Sequence, residues 1–331
     1  VLEKYPQMKI AAEMENHARH TGVHAAGIIV TEEPVHKYCS VSHQSGAAMI
    51  DKKDAEDLNL LKIDALGLRT LSVLQDVLDQ VKWSRDQLIN FDLEDPQAFK
   101  ILNDEKYAGI FQFEGYALQS LTRQMKVQNF EDVASITALA RPGPLNSGGT
   151  TQYIKRRTGE KPVEYLHPLT EEITKVTYGV VVYQEQVMTI AREVGKLTWE
   201  DVSTLRKAMS KSYGKEYFDT FWERFKVGAA ENDIEEDQAQ RIWDNINTMG
   251  SWAFNRSHAI AYGMVSYWCC VLKSRFPLEF AAACLRNVKD DDQGVRLLRE
   301  VVKEGSVYKP YDKFKSKANW SVQDGELIGG L

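Results

Sequence analysis

The chain has 331 residues, 43% hydrophobic and 27% charged, and its 41 basic and 47 acidic side chains give a net charge of −6. This composition excludes a disordered chain, a collagen and a disulfide-stapled mini-protein, and the length suffices for two domains. The longest apolar stretch, 259–272, is too short to cross a bilayer, so we expect a buried helix and no membrane partner. Four cysteines, two of them adjacent, are a poor disulfide framework and favour a cytoplasmic location.

Charge is distributed unevenly along the chain. Between Asp86 and Asp132 there are nine acidic and four basic residues, whereas between Arg141 and Glu216 there are twelve basic and nine acidic ones. Locally positive segments attract phosphate groups even when the total charge is negative. The chain begins with Val1 and ends just after a strand-like segment, so we expect it to be a piece of a longer protein.

Apolar periodicity and turn signals predict an α+β fold, with a small α/β part followed by a larger helical part. The predicted strands lie at 27–30, 58–65, 110–113 and 179–183. The predicted helices begin at Thr70, as an N-cap, and at Pro96, and then cover 116–126, 185–194, 201–209, 216–229, 236–249, 258–275 and 278–288.

A polar pair alternates with apolar residues in the second predicted strand. Alternate residues of a strand share a face, so Lys62 and Asp64 would lie together. The apolar residues Leu61, Ile63 and Ala65 would then point into a core. A carboxylate that can hold Mg²⁺, beside an ammonium that can meet a phosphate oxygen, suits a metal-and-phosphate site. A surface ion pair on an antiparallel sheet is the alternative.

Two prolines around a glycine predict a stiff turn at 142–144, directly after Arg141. Proline restricts the backbone, so this turn could hold Arg141 in one place, as recognition of a phosphate or a stacked base requires. The alternative is a loop that ends a helix and leaves Arg141 solvated.

A possible anion site precedes the long apolar helix. Ser257 is a good N-cap residue, and the free backbone amides there, with Asn255 and Arg256 beside them, would bind an anion. Simple helix capping is the alternative.

Other charged residues and histidines along the chain are further candidates for a binding site. A basic cluster at the end of a predicted helix comprises Arg206, Lys207, Lys211 and Lys215, and a solvated face is its alternative. His17, His20 and His24 do not predict a zinc site, because Gly22 interrupts their helix and no further ligand has matching spacing. Glu185 is expected to stabilise the N-terminus of the helix that it opens.

Seven short motifs follow one another along the chain. They are 24–27 (HAAG), 61–70 (LKIDALGLRT), 110–114 (IFQFE), 140–145 (ARPGPL), 178–188 (YGVVVYQEQVM), 205–209 (LRKAM) and 254–262 (FNRSHAIAY). In sequence and in order they closely resemble the C-family bacterial replicative DNA polymerase, the alpha subunit of DNA polymerase III. The resemblance covers roughly residues 10 to 330.

The resemblance implies a partial palm, with the DNA polymerase beta-like nucleotidyltransferase fold, followed by mainly helical fingers. It assigns 1–85 to the distal palm, 86–290 to the fingers and 291–331 to the start of the next region. Asp64 matches the third metal-binding aspartate of the family, and Lys62 matches a neighbouring lysine that contacts phosphate.

The implied reaction is two-metal phosphoryl transfer with Mg²⁺, in which a primer 3′-hydroxyl attacks the α-phosphate of a dNTP and pyrophosphate leaves. Arg141 would lie near the nascent base pair. The residues implied to meet the triphosphate or the template backbone are Arg206, Lys207, Lys211 and Arg256, with Asn255, Ser257 and His258 in the same wall. A further basic segment implied to contact DNA, with a solvated loop as the alternative, comprises Lys155, Arg156 and Arg157.

The resemblance also has departures. The other two metal-binding aspartates, an Asp-x-Asp pair, would lie upstream of this chain, so we predict that it does not polymerise alone. The implied partners are primer–template DNA, dNTPs and the family's remaining segments: a PHP domain, the upstream palm, and clamp-binding and OB domains, through which a sliding clamp would bind. Ala26, Ala65 and Arg256 replace the usual Gly, aromatic and Lys, which suggests a divergent or phage member.

Two rival functions stay open beside the polymerase. The chain could be a catalytically dead module that retains the fold and binds DNA or dNTP. A metal-dependent phosphoesterase is disfavoured, because such sites need clustered His and Asp ligands.

Overall fold

The computed structural model describes residues 4–331 except positions 16, 18, 19, 21, 25, 66 and 212, and excepting the side chains of Ala12 and Lys211. The chain divides into two compact units, Val1–Leu68 and Arg69–Leu331. Many helices and a few short strands make up the described part, which confirms the predicted α+β class. No helix in this described part is both long and apolar enough to pass through a membrane.

The first unit contains a two-stranded antiparallel sheet. Its elements are α1 (Met8–Glu13), β1 (Gly27–Val30), a 3-10 turn (Val35–Lys37), α2 (Lys52–Asp57) and β2 (Leu61–Asp64). Gly27 lies opposite Asp64, and Ile29 lies opposite Lys62. The strand predicted at 27–30 is confirmed. The one predicted at 58–65 is shorter, because Asn59 turns the chain between α2 and β2 with a φ of 54°.

The apolar face of this sheet is exposed, whereas the sequence predicts that it is buried in a core. Its apolar side chains are 45–59% exposed, and they are Ile28, Val30, Leu61 and Ile63. Ala65 is exposed as well. The predicted burial of Leu61, Ile63 and Ala65 in a core is therefore wrong within the described part of this unit, where two strands alone leave that face open. Lys62 and Asp64 do share the opposite face, as the alternation predicts.

The second unit is mainly helical. Its helices are α3 (Arg69–Val81), α4 (Arg85–Ile89), α5 (Pro96–Asn103), α6 (Tyr116–Met125), α7 (Phe130–Leu139), α8 (Pro142–Asn146), α9 (Gly149–Arg157), α10 (Pro168–Thr174), α11 (Gln184–Glu193), α12 (Trp199–Lys211), α13 (Lys215–Asp219), α14 (Trp222–Ala230), α15 (Glu236–Gly250), α16 (Arg256–Arg275), α17 (Pro277–Arg286) and α18 (Asp291–Lys303). A 3-10 turn spans Lys175–Thr177, and the strands β3 (Tyr308–Lys309), β4 (Ser321–Gln323) and β5 (Glu326–Ile328) form a sheet in the order β3-β5-β4.

Helix α16 is the long buried helix that the apolar stretch predicts. It packs against α7, α5, α3 and α17. Close approach to α7 depends on Gly263, where an added Cβ would lie 3.4 Å from the Ala134 Cα. A second core joins α11, α12, α14 and α15 through fully buried side chains such as Val187, Leu205 and Phe225. The start of α11 is joined to the segment before α16 by a hydrogen bond from the Gln184 amide to the Phe254 carbonyl, at 2.8 Å.

Two predicted strands are not regular strands. Residues 110–113 form turns that bury Ile110 and Phe113. The segment 179–183 is buried among helices and makes one isolated parallel bridge, between Tyr183 and Phe254. Apolar runs of this length are buried in either arrangement, so the pattern alone did not distinguish them.

Most predicted helices are confirmed, with shifts at their ends. Thr70 lies inside α3 rather than capping it, the segment after Arg141 forms the short helix α8, and the helix predicted at 216–229 is divided into α13 and α14. Helix α3 packs against α16 and α17 and belongs to the second unit. The assignment of 1–85, 86–290 and 291–331 to palm, fingers and following region stays a prediction.

Candidate functional site

Arg141 is held by the end of α7 and by the segment before α16. Its Nε donates to the Ala138 carbonyl at 3.0 Å and its Nη2 to the Trp252 carbonyl at 2.7 Å, while Cζ lies 4.4 Å from the centroid of the Phe254 ring. An added Cβ at Gly143 would lie 2.8 Å from Trp252, so the glycine lets the turn pack closely there. Burial lowers the pKa of Arg141. The side chain is held beside the α16 N-terminus.

The cap of α16 differs from the predicted one. Asn255 is the N-cap, and its side-chain oxygen accepts a hydrogen bond from the His258 backbone amide at 2.7 Å. Ser257 lies inside the first turn and is exposed, so the prediction that it caps the helix is wrong. Asn255 has the extended backbone that an N-cap requires, and Arg256 is already the first helical residue.

Two carboxylates from other helices contact Arg256. The Glu185 Oε2 accepts from the Arg256 backbone amide at 2.9 Å, and its Oε1 accepts from the Asn255 side chain at 3.3 Å. The Glu131 Oε2 lies 3.3 Å from the Arg256 Nη2, and its Oε1 accepts from the Tyr183 hydroxyl at 3.2 Å. Glu185 therefore stabilises the N-terminus of α16 as well as the helix that it opens.

A row of aromatic side chains continues from Phe254 along α16. His258 meets Phe254 edge-on at 5.4 Å and stacks on Tyr262 with the ring centroids 4.1 Å apart and the planes 21° apart. Tyr262 in turn lies 5.5 Å from Phe111. His258 is exposed and the other three are half-buried. Stacked, partly exposed rings of this kind suit the face of a nucleobase.

Two members of the basic cluster, Arg206 and Lys207, are exposed on α12. The side chain of Lys211 lies outside the described part of the chain. Lys215 pairs with Asp219 at 3.1 Å.

The basic segment of α9 is only partly available for a ligand. Arg157 is 8% exposed and forms a two-pronged pair with Asp132, at 3.0 and 2.8 Å. Arg156 is 9% exposed and donates to the carbonyls of Glu164 and Tyr178. Lys155 is more exposed and pairs with Glu160. The DNA contact stays a prediction, and this geometry favours Lys155 as the residue that makes it.

Lys62 and Asp64 form an ion pair in the first unit. The Lys62 Nζ lies 2.9 Å from the Asp64 carboxylate, and the His24 Nδ1 lies 4.0 Å from it. The hydrogen bond from Lys62 lowers the pKa of Asp64, whose side chain is 51% exposed. An added Cβ at Gly27 would lie 2.9 Å from the Lys62 Cε, so the glycine leaves room for the pair.

Asp64 fits one ligand position for a hard divalent cation, because it is an exposed, ionised carboxylate. Among the described residues, however, no three His, Cys, Asp or Glu side chains are grouped as a metal site would need. The described part of the chain therefore does not supply a complete two-ion site.

The sequence reasoning missed Glu131, Phe111 and Tyr262. The i, i+4 spacing of Phe254, His258 and Tyr262 was a usable signal for the aromatic row. Nothing local connects Glu131 or Phe111 to α16, since both contacts are long-range.

Comparison with known proteins identifies the family. Residues 3–67 match the family model described as the bacterial DNA polymerase III alpha NTPase domain, and residues 70–233 match the one described as the alpha subunit finger domain. A DNA polymerase III subunit alpha from Aquifex aeolicus (strain VF5) is 35% identical over 338 residues, which cover 99% of this chain. The chain belongs to the DNA polymerase III alpha subunit family.

Other members of the DNA polymerase III alpha subunit family show similar coverage. The Staphylococcus aureus (strain COL) subunit is 36% identical over 309 residues, 91% of this chain, and that of Halalkalibacterium halodurans is 33% identical over 324 residues, 96% of this chain. The chain spans only 28–29% of the length of these three relatives. The family resemblance is thereby confirmed.

The two family matches fall on different candidate residues. Lys62 and Asp64 lie in the segment that matches the DNA polymerase III alpha NTPase domain, whereas Glu131, Arg141 and Glu185 lie in the segment that matches the finger domain.

Proposed function

We propose that this chain is the part of a DNA-directed DNA polymerase that carries one metal-binding carboxylate and the nucleotide-binding surface. The polymerase would add dNTPs to a primer 3′-hydroxyl during replication of a bacterial or phage chromosome. The observation that supports this most is the stack of Arg141 on Phe254, directly before the capped N-terminus of α16. Guanidinium, helix amides and aromatic rings together can recognise the phosphates and the base of one nucleotide.

Several candidate residues of the second unit have proposed roles in nucleotide binding. Arg141 would contact the nascent base pair, and Arg256 with the α16 amides would contact the triphosphate. His258 would lie against the sugar or base, because it stacks on the exposed side of Tyr262. The remaining contacts to triphosphate or DNA phosphates would come from Asn255, Ser257, Arg206, Lys207, Lys211 and Lys155.

In the first unit, Asp64 would be one oxygen ligand to Mg²⁺, and Lys62 would contact a phosphate oxygen. Bound Mg²⁺ supplies neutralisation of the triphosphate and activation of the primer hydroxyl. Without bound Mg²⁺, Lys62 and Asp64 form an ion pair, with the Lys62 Nζ 2.9 Å from the Asp64 carboxylate. The described residues contain no group of three or more His, Cys, Asp or Glu side chains that could hold a metal ion. We therefore propose that this chain alone does not extend a primer.

The proposed partners follow from this role. They are primer–template DNA, dNTPs and the other segments of the polymerase: the PHP domain, the upstream palm, and the clamp-binding and OB domains, with a sliding clamp bound through them. The proposed place of action is the cytoplasm, where the bacterial chromosome is replicated.

Primer extension tests the proposal. This chain would be joined to the preceding part of the Aquifex aeolicus relative and assayed with dNTPs and Mg²⁺, alongside the Asp64→Asn variant. Extension that Asp64→Asn abolishes supports the polymerase. Asp57→Asn, which changes an exposed carboxylate at the end of α2, is the matched control and should keep full activity.

The alternative is a binding module without catalysis. It predicts that the joined protein binds primer–template DNA with strong salt dependence, as counterion release requires, but never extends the primer. That result would overturn the catalytic proposal and keep the binding one.

A further inference from the structure

A carboxylate from another helix, that of Glu185, already contacts the N-terminus of α16. Of its first amides, that of His258 donates to the Asn255 side chain and that of Ala259 to the Asn255 carbonyl. The Arg256 amide donates instead to the Glu185 carboxylate at 2.9 Å. A carboxylate therefore accepts a hydrogen bond from a helix N-terminal amide that could otherwise donate to a phosphate.

The same carboxylate is held from a second helix. Glu185 lies in the first turn of α11, a position where the helix dipole favours an acidic side chain, and it also accepts from the Asn255 side chain at 3.3 Å. Backbone bonds join the two segments, because Gln184 N donates to the Phe254 carbonyl at 2.8 Å and Phe254 N donates to the Val182 carbonyl at 2.9 Å. The Glu185 carboxylate is thus presented to α16 by a rigid support.

Arg256 retains unused binding capacity beside this contact. Its Nη2 meets Glu131 at 3.3 Å, but its Nε is buried and lacks a hydrogen-bond partner among the described residues. An unpartnered buried donor is costly, so Arg256 would gain from a side-chain movement that brings its Nε to a phosphate oxygen. Glu185, in contrast, is only half-buried, so its side chain can turn away into solvent.

We propose that Glu185 is an internal competitor of the nucleotide: its carboxylate occupies the Arg256 amide until a triphosphate displaces it. This inference rests on the proposed nucleotide-binding function. The competition lowers affinity for every triphosphate equally and leaves the uncharged parts of the nucleotide unaffected. A neutral amide at position 185 can still accept from the Arg256 amide but no longer repels the triphosphate.

Triphosphate binding tests this inference on the chain as it is. Titration calorimetry would measure the Kd of dATP for the wild type, Glu185→Gln, Glu185→Asp and Arg256→Ala, with thermal unfolding as the check of folding. Removing one nearby negative charge should tighten dATP binding by Glu185→Gln roughly three- to tenfold. Glu185→Asp keeps the negative charge near the α16 N-terminus and should therefore tighten dATP binding less than Glu185→Gln does.

Two controls separate charge from structure. Deoxyadenosine, which has no phosphate, should bind Glu185→Gln and the wild type alike. Glu193→Gln removes an exposed carboxylate from the other end of α11 and should leave the dATP Kd unchanged.

Each outcome decides between the claims. If the wild type binds dATP and Arg256→Ala weakens it, but Glu185→Gln binds no more tightly, Glu185 is only a structural cap and the inference is overturned. Equal tightening by Glu185→Gln and Glu185→Asp would likewise overturn it, since shape rather than charge would be responsible. If neither the wild type nor any variant binds dATP, the proposed function fails and the inference fails with it.

Discussion

The Arg141 guanidinium lies over the ring of Phe254, 4.4 Å from its centroid, and donates to two backbone carbonyls. No carboxylate of the described residues lies within ion-pair distance of it. Backbone carbonyls orient the guanidinium without cancelling its charge, so its field remains available to a ligand. Arg157 differs, because Asp132 neutralises it.

Arg141→Lys should weaken triphosphate binding. A lysine lacks the planar group that reaches both carbonyls while stacking on Phe254, so we expect the dATP Kd to rise roughly tenfold. Titration calorimetry measures this. The matched control is Arg192→Lys, because Arg192 also donates to a carbonyl, that of Leu197, and lies 5.5 Å from the Trp199 ring. An unchanged dATP Kd for Arg141→Lys would remove this turn from the nucleotide site.

Arg157→Ala should destabilise the second unit strongly. It leaves the Asp132 carboxylate, 2% exposed, without its charged partner, and breaking a buried pair costs about 3–5 kcal/mol of unfolding free energy. Urea unfolding measures the loss. Arg123→Ala breaks an exposed pair with Glu105 and should cost at most about 1 kcal/mol. Similar losses for both variants would refute the structural role of Arg157 and reopen it as a DNA contact.

Gly228→Ala tests the contact between α14 and the end of α11. An added Cβ would lie 1.9 Å from the Gly195 carbonyl oxygen, which is backbone and has little freedom to move. We expect a loss of about 3 kcal/mol or more in unfolding free energy. Gly294→Ala in α18 is the control: its Cβ would meet Val288 at an ordinary 3.6 Å, and the helix propensity of alanine should stabilise by about 0.5–1 kcal/mol. Tolerance of Gly228→Ala in urea unfolding would contradict this packing.

Asp95→Asn tests the pH dependence of stability. Burial raises the pKa of Asp95, but the hydrogen bond from Arg275 at 2.7 Å, the backbone hydrogen bonds from Gln97 and Ala98 and the charge of Arg275 together outweigh it, so this pKa lies below its ordinary value. The folded state therefore binds the proton more weakly than the unfolded state. The stabilisation of the folded state by the ionised Asp95 carboxylate is fully present above the unfolded pKa of about 4. It is lost as the pH falls through the folded pKa.

We therefore expect Asp95→Asn to lower the unfolding free energy by about 2 kcal/mol at pH 7 and by progressively less below about pH 4. Urea unfolding of both proteins from pH 7 to pH 3 measures the difference. A constant difference across this range would show that the charge of Asp95 does not contribute.

Local features of this protein follow from short stretches of its sequence. The spacing of apolar residues and the position of Pro96 were sufficient for α5, and strand alternation placed Lys62 and Asp64 on one face. These features depend on neighbours within a few residues, so a local pattern carries them. The motif order was sufficient to identify the family.

Which distant groups come into contact depends on how the helices pack. Glu185 was expected to act on its own helix, yet its carboxylate also contacts the Arg256 amide 71 residues away. The buried segment 179–183 meets Phe254 instead of a neighbouring strand, and Arg157 is buried in a pair with Asp132, 25 residues away. Such contacts depend on how separate helices pack, and hydrophobic burial is non-directional, so an apolar or charged pattern does not specify its partner.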